Sequence, residues 1–111
     1  HPGRVPLGLD RLDLAKVGRL TFEPPDPGRF PAYTLAWRAL EKGGTAPAAL
    51  SGADEAAVEA FLEGRCRFDR IARVCAEVLE SHRAEPLRSI EQAVAASEWG
   101  KREAARRAKD G

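Results

Sequence analysis

The sequence predicts an all-α fold, a small bundle of about four helices behind an extended, proline-rich N-terminal arm. Apolar residues recur at three- and four-residue steps beyond Pro31, and outside the arm no run alternates in the manner of a β-strand. Glycines and prolines separate the periodic stretches at helix-length intervals. The predicted domains are therefore a connecting arm over residues 1–28 and a helical bundle over residues 29–111.

The arm is rich in proline, yet it is not a polar linker. Five of the eight prolines lie in it, and proline fixes φ and removes a backbone donor, so helix is disfavoured at either end of the arm. Because long structureless loops are uncommon in compact domains, the arm should pack on its own domain or on a missing one. We expect residues 14–22 to pack on the bundle and residues 2–12 to reach toward a missing domain or a neighbouring chain. The apolar residues behind this expectation are Leu7, Leu9, Leu12, Leu14, Val17, Leu20 and Phe22.

Proline, glycine and threonine delimit the first two predicted helices. Pro31 suits the first turn of a helix that ends at Gly43-Gly44. Thr45 is placed to cap the second helix, which Gly52 is expected to bend or break, with Ser51 capping its second half. The core faces predicted for the two helices are Tyr33, Ala36, Trp37 and Leu40, then Ala46, Leu50, Ala53, Ala57 and Phe61.

Two further helices complete the predicted bundle. The third opens at Asp69, after Gly64 has ended the second. The fourth begins at a capping-box pattern, Ser89 to Gln92, and has a weak point at Gly100. Their predicted core faces are Ile71, Val74, Cys75, Val78 and Leu79, then Ile90, Ala93, Val94 and Trp99.

Composition excludes several classes of function. Hydrophobic residues make up 43% and charged residues 32% of the chain, as in globular proteins. A net charge of +1 gives no strong basis for nucleic-acid binding, and no run approaches the ~20 apolar residues of a membrane span. No signal-peptide pattern is present, so a cytoplasmic location is expected. Because the chain starts at His1 and contains no methionine, it is expected to be a trimmed or excised fragment.

Few residue types suit catalysis or metal binding. The chain has two histidines, His1 and His82, and the second falls at the end of the third helix, where a capping or helix-dipole role is sufficient. Cys66 and Cys75 form no CxxC pair and have no histidine nearby, which predicts two free thiols in a reducing compartment.

Four other groups of residues have a structural interpretation that is simpler than a functional one. Trp37 and Trp99 are interpreted as core anchors rather than pocket walls. Residues 43–45 lack the full phosphate-loop pattern. Asp54-Glu55 and Glu59 offer carboxylates on adjacent turns, but no histidine or third carboxylate converges nearby to complete a metal or acid–base site. The basic residues near the C-terminus suit a helix end: Lys101, Arg102, Arg106, Arg107 and Lys109. The sequence therefore assigns no catalytic, cofactor-binding or metal-binding residue.

Several blocks of the sequence resemble one enzyme family. Three blocks follow one another in the order and spacing of the C-terminal part of 1-deoxy-D-xylulose 5-phosphate reductoisomerase. They are LDLAKVGRLTFEPPD at residues 12–26, RFP at residues 29–31 and ALEKGGTAPAALSGADEAAVEAFLEGRCRF at residues 39–68. The opening HPGR is similar to the family's YPER. The resemblance covers essentially the whole chain.

The resemblance implies a role within a larger enzyme of the non-mevalonate isoprenoid pathway. That family uses NADPH and a divalent metal, Mg or Mn, to isomerise and reduce its substrate to 2-C-methyl-D-erythritol 4-phosphate. The implied partners are the catalytic and NADPH-binding domains of the same enzyme, with a homodimer of the full enzyme as a further association. No position here matches the family's metal- or phosphate-binding motifs. The chain is therefore expected to give structural support and to be inactive alone.

The chain also departs from the family pattern. Ser51, Gly52 and Asp54 replace asparagine, alanine and asparagine, while Arg19 and Cys66 replace a serine and an aliphatic residue. A hydroxyl and a carboxylate can cap a helix, but they cannot donate amide hydrogen bonds. These departures leave a second interpretation open, a free-standing helical protein-interaction module that is derived from this domain and binds a partner through the arm.

Overall fold

A computed structural model describes Gly3, Val5 and residues 8–109. This part of the chain contains five helices and no β-strand: α1 (Leu14–Val17), α2 (Pro31–Lys42), α3 (Ala46–Leu62), α4 (Phe68–Ser81) and α5 (Ile90–Arg107). Helices α2 to α5 form the bundle, and α3 packs against the other three. The predicted all-α class is confirmed, with α1 as an additional short helix in the arm. Within residues 8–109, no helix is long and apolar enough to cross a membrane.

The helices of the bundle begin and end close to the predicted residues. Pro31 is the first residue of α2, and Gly43 follows that helix with a φ of 68°. Ser89 caps α5 by accepting the N–H of Gln92 at 3.3 Å, and the Gln92 side chain accepts the N–H of Arg88 at 2.7 Å. The capping box is therefore present, except that the Gln92 side chain bonds to the N–H of Arg88 and not to that of the N-cap residue Ser89.

Helices α3 and α5 run in the same direction. Thr45, just before α3, lines the same cavity as Gln92, which lies near the start of α5. At the other end of the pair, Ala60 of α3 clusters with Ala108, the residue after α5. Helix α4 ends beside Thr45, where His82 Nε2 is 2.9 Å from the threonine hydroxyl, so α4 runs opposite to both.

Small residues form the contact between α3 and α5. The two backbones approach so closely that a Cβ on Gly52 would lie 2.0 Å from the carbonyl oxygen of Ser97. A Cβ on Gly100 would lie 2.1 Å from the carbonyl oxygen of Ala49. Every fourth residue on each side is small and buried, as close helix approach requires. These positions are Gly52, Ala56 and Ala60 on α3 and Gly100, Ala104 and Ala108 on the α5 side.

The predicted break at Gly52 is wrong. Helix α3 is continuous, and Gly52 is buried within it. Ser51 is exposed in the middle of the same helix and makes no capping hydrogen bond, so it is not a second N-cap. Gly100 lies inside α5, which continues to Arg107. In both helices the close packing that glycine permits outweighs its low helix propensity.

The predicted core faces of α3 and α4 are largely confirmed. Three predicted alanines of α3 are fully buried, although Phe61 at its end is exposed. On α4 the predicted stripe forms the centre of the core, with Ile71 packed at its edge. The buried members of the two predicted faces are Ala46, Ala53, Ala57, Val74, Cys75, Val78 and Leu79.

The predicted core faces of α2 and α5 are wrong. Helix α2 buries Leu35 and Ala39 and leaves its predicted stripe exposed, and Trp37 is therefore not a core anchor. Helix α5 buries small residues and exposes Ile90 and Val94, while Trp99 does pack against the core as predicted. The apolar-stripe rule assigns the largest apolar residues to the core, whereas this core uses small ones.

The arm does not pack on the bundle. Every residue from 8 to 30 is exposed, and α1 contacts no other helix. The radius of gyration of 18.5 Å exceeds the roughly 13 Å of a compact chain of this length. The predicted packing of residues 14–22 on the bundle is therefore wrong. Of the segment predicted to reach toward a missing domain, Pro2, Arg4, Pro6 and Leu7 lie outside the described residues.

A turn centred on Asp26 connects the arm to the bundle. The Asp26 side chain accepts the N–H groups of Gly28 and Arg29 at 2.8 and 3.1 Å, and its carbonyl accepts the N–H of Phe30 at 2.9 Å. Prolines at positions 24, 25 and 27 restrict φ on both sides. The turn therefore fixes where the arm leaves the bundle, at the start of α2.

Candidate interaction surface

Helix α2 presents aromatic and aliphatic side chains to solvent. Tyr33 and Trp37 contact edge to face, with ring centroids 6.4 Å apart, yet they keep 47% and 55% of their surface exposed. Phe30 and Leu40 extend this surface at 55% and 62% exposure. We call these four residues the α2 face. A contiguous apolar surface of this kind is typical of an interaction site.

A groove of about 420 Å³ lies beside the α2 face, between α2, α3 and α4. Leu40 belongs to both the face and the groove, whose floor includes Leu50 and Ile71. The only oxygen-bearing side chains among its lining residues are those of Ser51 and Asp54. Two of the positions at which the sequence departs from the family pattern therefore line the groove.

A second apolar cluster lies where α3 passes into α4. The rings of Phe61 and Phe68 contact edge to face at 5.6 Å, and Leu62 beside them is largely exposed. Ala32 of α2 and Ile71 of α4 line the same groove, so the starts of α2 and α4 are close together. The arm, Phe30 and this second cluster therefore lie at one end of the bundle.

The opposite end of the bundle is closed by a polar cluster around Thr45. Its hydroxyl accepts the N–H of Glu85 at 3.1 Å, and its own N–H donates to the Glu85 carbonyl at 2.9 Å. Lys42 Nζ donates to the carbonyls of Leu79 and His82 at 2.7 and 2.6 Å, which satisfies acceptors at the end of α4. Thr45 is the N-cap residue, as predicted, but its side chain joins two loops and makes no capping bond.

His82 belongs to this cluster rather than to a catalytic site. Its ring packs on Trp99 with centroids 4.8 Å apart, and its Nε2 faces the hydroxyl of Thr45. Burial, and then the charge of Lys42, lowers the pKa of His82, while Glu85 acts in the opposite direction. A neutral imidazole can accept the Thr45 hydroxyl proton in a hydrogen bond, so the arrangement is suited to holding α3, α4 and α5 together.

The acidic residues of α3 do not converge on one point. Glu55 pairs with Lys101 at 3.0 Å, Asp54 lies 4.0 Å from Cys75 Sγ, and Glu59 is exposed. Among the residues that the structure describes, no three histidine, cysteine, aspartate or glutamate side chains are grouped so as to hold a metal. This part of the chain therefore does not fit a divalent cation.

Several basic residues of α5 pair with carboxylates. Glu103 contacts Arg106 at 2.9 Å and Arg107 at 3.1 Å, and Arg107 also lies 4.0 Å from Glu77 of α4. The Arg107 side chain is only 16% exposed, so it is an interhelical residue and not part of a solvated helix end. Pairing of this kind offers little attraction to an anion or a nucleic acid.

The two cysteines are free, as predicted, and both are buried. Burial, with smaller contributions from Asp54 and Cys66, raises the pKa of Cys75 to about 12. A thiol with such a pKa is almost entirely protonated near neutral pH and is a poor nucleophile. Cys75 is therefore a core residue.

Sequence periodicity alone does not identify the α2 face as a candidate interaction surface. The signal was present, because α2 is apolar on two sides, with Leu35 and Ala39 on one and the aromatic pair on the other. A helix that is apolar on two sides has more than one surface to cover. An isolated bundle can bury only one of them here.

Known proteins resemble this chain along nearly its whole length. Residues 1–103 match the model of a family described as the DXP reductoisomerase C-terminal domain. The 1-deoxy-D-xylulose 5-phosphate reductoisomerase of Anaeromyxobacter dehalogenans is 71% identical over 107 residues, which are 96% of this chain and 27% of the relative. That of Citrifermentans bemidjiense is 47% identical over 104 residues, which are 94% and 27% of the two chains.

A solved structure has the same fold. It is 1-deoxy-D-xylulose 5-phosphate reductoisomerase from Zymomonas mobilis in complex with NADPH, with a TM-score of 0.83 and 33% sequence identity. The similarity covers 97% of this chain and 29% of that chain. This chain therefore spans about a quarter of the length of the curated relatives that it matches.

Proposed function

The chain belongs to the DXP reductoisomerase C-terminal domain family, and from this premise we propose that it acts as the helical C-terminal domain of such an enzyme. The enzyme would isomerise 1-deoxy-D-xylulose 5-phosphate and reduce it with NADPH to 2-C-methyl-D-erythritol 4-phosphate. The match over residues 1–103 carries this proposal. By resemblance to the family we extend it to a cytoplasmic homodimer, with residues 1–28 as connecting arm and residues 29–111 as the bundle.

The role proposed for this chain within the enzyme is structural. NADPH and a divalent metal would be bound by other domains, because the α3 carboxylates face different neighbours and the sequence has no glycine-rich dinucleotide loop. His82 is committed to the cluster at Thr45 and the Cys75 thiol is buried. The bundle would therefore contribute by holding the arm and an apolar surface in a fixed arrangement.

The α2 face and its groove are the proposed contact with the other domains of the same enzyme. The support for this contact is exposure, since the four large apolar side chains of the α2 face are 47% to 62% exposed. Interfaces between domains of one chain commonly cover such surfaces. The arm, which leaves the bundle beside Phe30, would lie along the same contact.

A chimaera tests the proposed function. The matched segment of the Anaeromyxobacter dehalogenans enzyme is replaced by this chain, and oxidation of NADPH is measured with 1-deoxy-D-xylulose 5-phosphate as substrate. The chimaera should keep most of the parent's activity, because 71% of the 107 aligned residues are identical. A folded chimaera with no activity would contradict the proposal and favour the free-standing interaction module.

A further inference from the structure

One segment of the arm has the alternating sequence pattern of a short β-strand. Residues 19–23 read Arg-Leu-Thr-Phe-Glu and lie in no helix or turn. Leu20 and Phe22 alternate with polar neighbours, so in an extended chain their side chains share one side. These two side chains are 62% and 87% exposed. An alternating segment of this kind normally buries one side against a core.

The backbone of this segment also lacks partners. The N–H of Arg19 donates to the Val17 carbonyl at 2.8 Å, but within the described residues no N–H or C=O from Leu20 to Glu23 is hydrogen-bonded to protein. A row of unpaired backbone groups beside an apolar side is what an edge strand offers to a sheet. The segment therefore lacks both a ladder and a core.

Its boundaries suit a short strand. Gly18, with a φ of 73°, ends α1 immediately before the segment, and Pro24 and Pro25 follow it directly. Proline cannot donate to a ladder and is confined to edges and ends of sheets. Neither α1 nor the Asp26 turn uses a backbone group of residues 20–23.

The missing sheet does not come from another copy of this chain. The described residues contain no β-strand, so a second copy offers no sheet edge in that part. Two arms paired with each other would make only a two-stranded ribbon, which is marginally stable in water. The partner must be a domain of different structure that already has a sheet.

We propose that residues 19–23 add as an edge strand to a β-sheet in another domain of the same enzyme, an inference that rests on the proposed function. Leu20 and Phe22 would face the apolar core beneath that sheet, and Thr21 would face outward. Main-chain hydrogen bonds supply the attraction in this mode of recognition, and pockets for alternate side chains supply the register. The bundle would then be tied to its neighbour by a ladder as well as by the α2 face.

Hydrogen exchange tests the ladder directly. Amide exchange of residues 19–23 is measured by NMR in the chimaera and in this chain alone. In the chimaera, every second amide from Leu20 to Glu23 should exchange about tenfold to a hundredfold more slowly, because alternate N–H groups of an edge strand face the sheet. In the chain alone, all of them should exchange rapidly. Fast exchange throughout the chimaera, or protection without alternation, would overturn the proposal.

Substitutions test the side chains independently of activity. Leu20→Asp and Phe22→Asp should each abolish the protection, whereas Thr21→Asp, the matched control on the opposite side, should retain it. All three residues are exposed, so all three variants should keep the thermal melt of the parent chain. Equal loss for all three would overturn the strand. An active chimaera without alternating protection counts against the strand alone, and an inactive one with protection counts against the proposed function alone.

Discussion

Gly52 of α3 lies directly against the backbone carbonyl of Ser97 on α5, with no space for a side chain between them. In the reciprocal contact, Gly100 lies against the carbonyl of Ala49. The atoms nearest to a Cβ on either glycine belong to the backbone of the other helix, which cannot move aside as the end of a flexible side chain can. This pair of contacts sets the distance between the two helices.

Gly52→Ala should therefore destabilise the chain, although alanine is the better helix former. Alanine gains about 1 kcal/mol in helix propensity, while overpacking costs about 3 kcal/mol, the upper end of its usual range, where backbone must move. We expect a net loss of about 2 kcal/mol in the free energy of unfolding, measured by urea melts. The matched control is Ser51→Ala, the exposed neighbour, which should change it by less than about 0.5 kcal/mol. A Gly52→Ala chain as stable as the parent would mean that the two helices can separate freely.

The cluster around His82 should make stability depend on pH. The folded-state pKa of His82 is lowered from its ordinary value of 6.5, so the unfolded chain binds the proton first as the pH falls. This contribution is complete above pH 6.5 and is lost as the pH falls through the lower folded-state pKa. The free energy of unfolding should therefore decrease from about pH 7.5 to about pH 5.

The variant His82→Gln tests whether His82 causes this pH dependence of stability. Glutamine keeps an acceptor for the Thr45 hydroxyl but does not titrate, so the change between the two pH values should shrink. Three carboxylates, those of Asp69, Glu91 and Glu103, do not contribute to this change, because their pKa values are lowered from 3.8 and 4.5 and lie below this window. An unchanged pH dependence in His82→Gln would place its source elsewhere.

Trp37→Lys should separate folding from docking. Because Trp37 is 55% exposed, the isolated chain should keep its stability within about 0.5 kcal/mol in urea melts. In the chimaera the same substitution should greatly reduce NADPH oxidation, since it places a charge in the proposed domain contact. Ile90→Lys is the control, because Ile90 is also exposed but lies on α5, which does not contact α2. Equal effects of the two substitutions would refute a special role for the α2 face.

The isolated chain should bind neither NADPH nor Mg²⁺ or Mn²⁺ tightly. A dinucleotide needs a glycine-rich turn at a helix start, and these cations need several converging oxygen ligands. The carboxylates of α3 instead face Lys101, Cys75 and solvent. Calorimetric titration should show no heat of specific binding, and micromolar affinity for NADPH would contradict this.

The helix boundaries could be predicted from sequence because they depend on local chemistry. Pro31, Gly43 and Ser89 act within one turn of their own helix, and each lies where the pattern indicates a beginning or an end. Gly52 shows the limit of that reasoning. The same residue can break a helix or admit a neighbouring one, and only the position of α5 decides between the two.

The buried faces of α2 and α5 could not be predicted in the same way. Periodicity identifies an apolar stripe, but it does not say whether the stripe meets the domain's own core or a partner. Tyr33 and Trp37 have the spacing of core residues and are exposed, and Ala39 is buried instead. The candidate interaction surface was therefore hidden among residues that periodicity assigns to the core.

The seam of glycine and alanine between α3 and α5 has a thermodynamic consequence. Burying a long side chain freezes its rotamers, whereas glycine and alanine have no rotamers to lose. The six small residues at this seam thus come together without that entropic cost, and the order they gain is almost entirely that of the backbone. Enlarging any of them beyond alanine would add a rotameric penalty to the steric one, so tolerance to long side chains should be lowest along this seam.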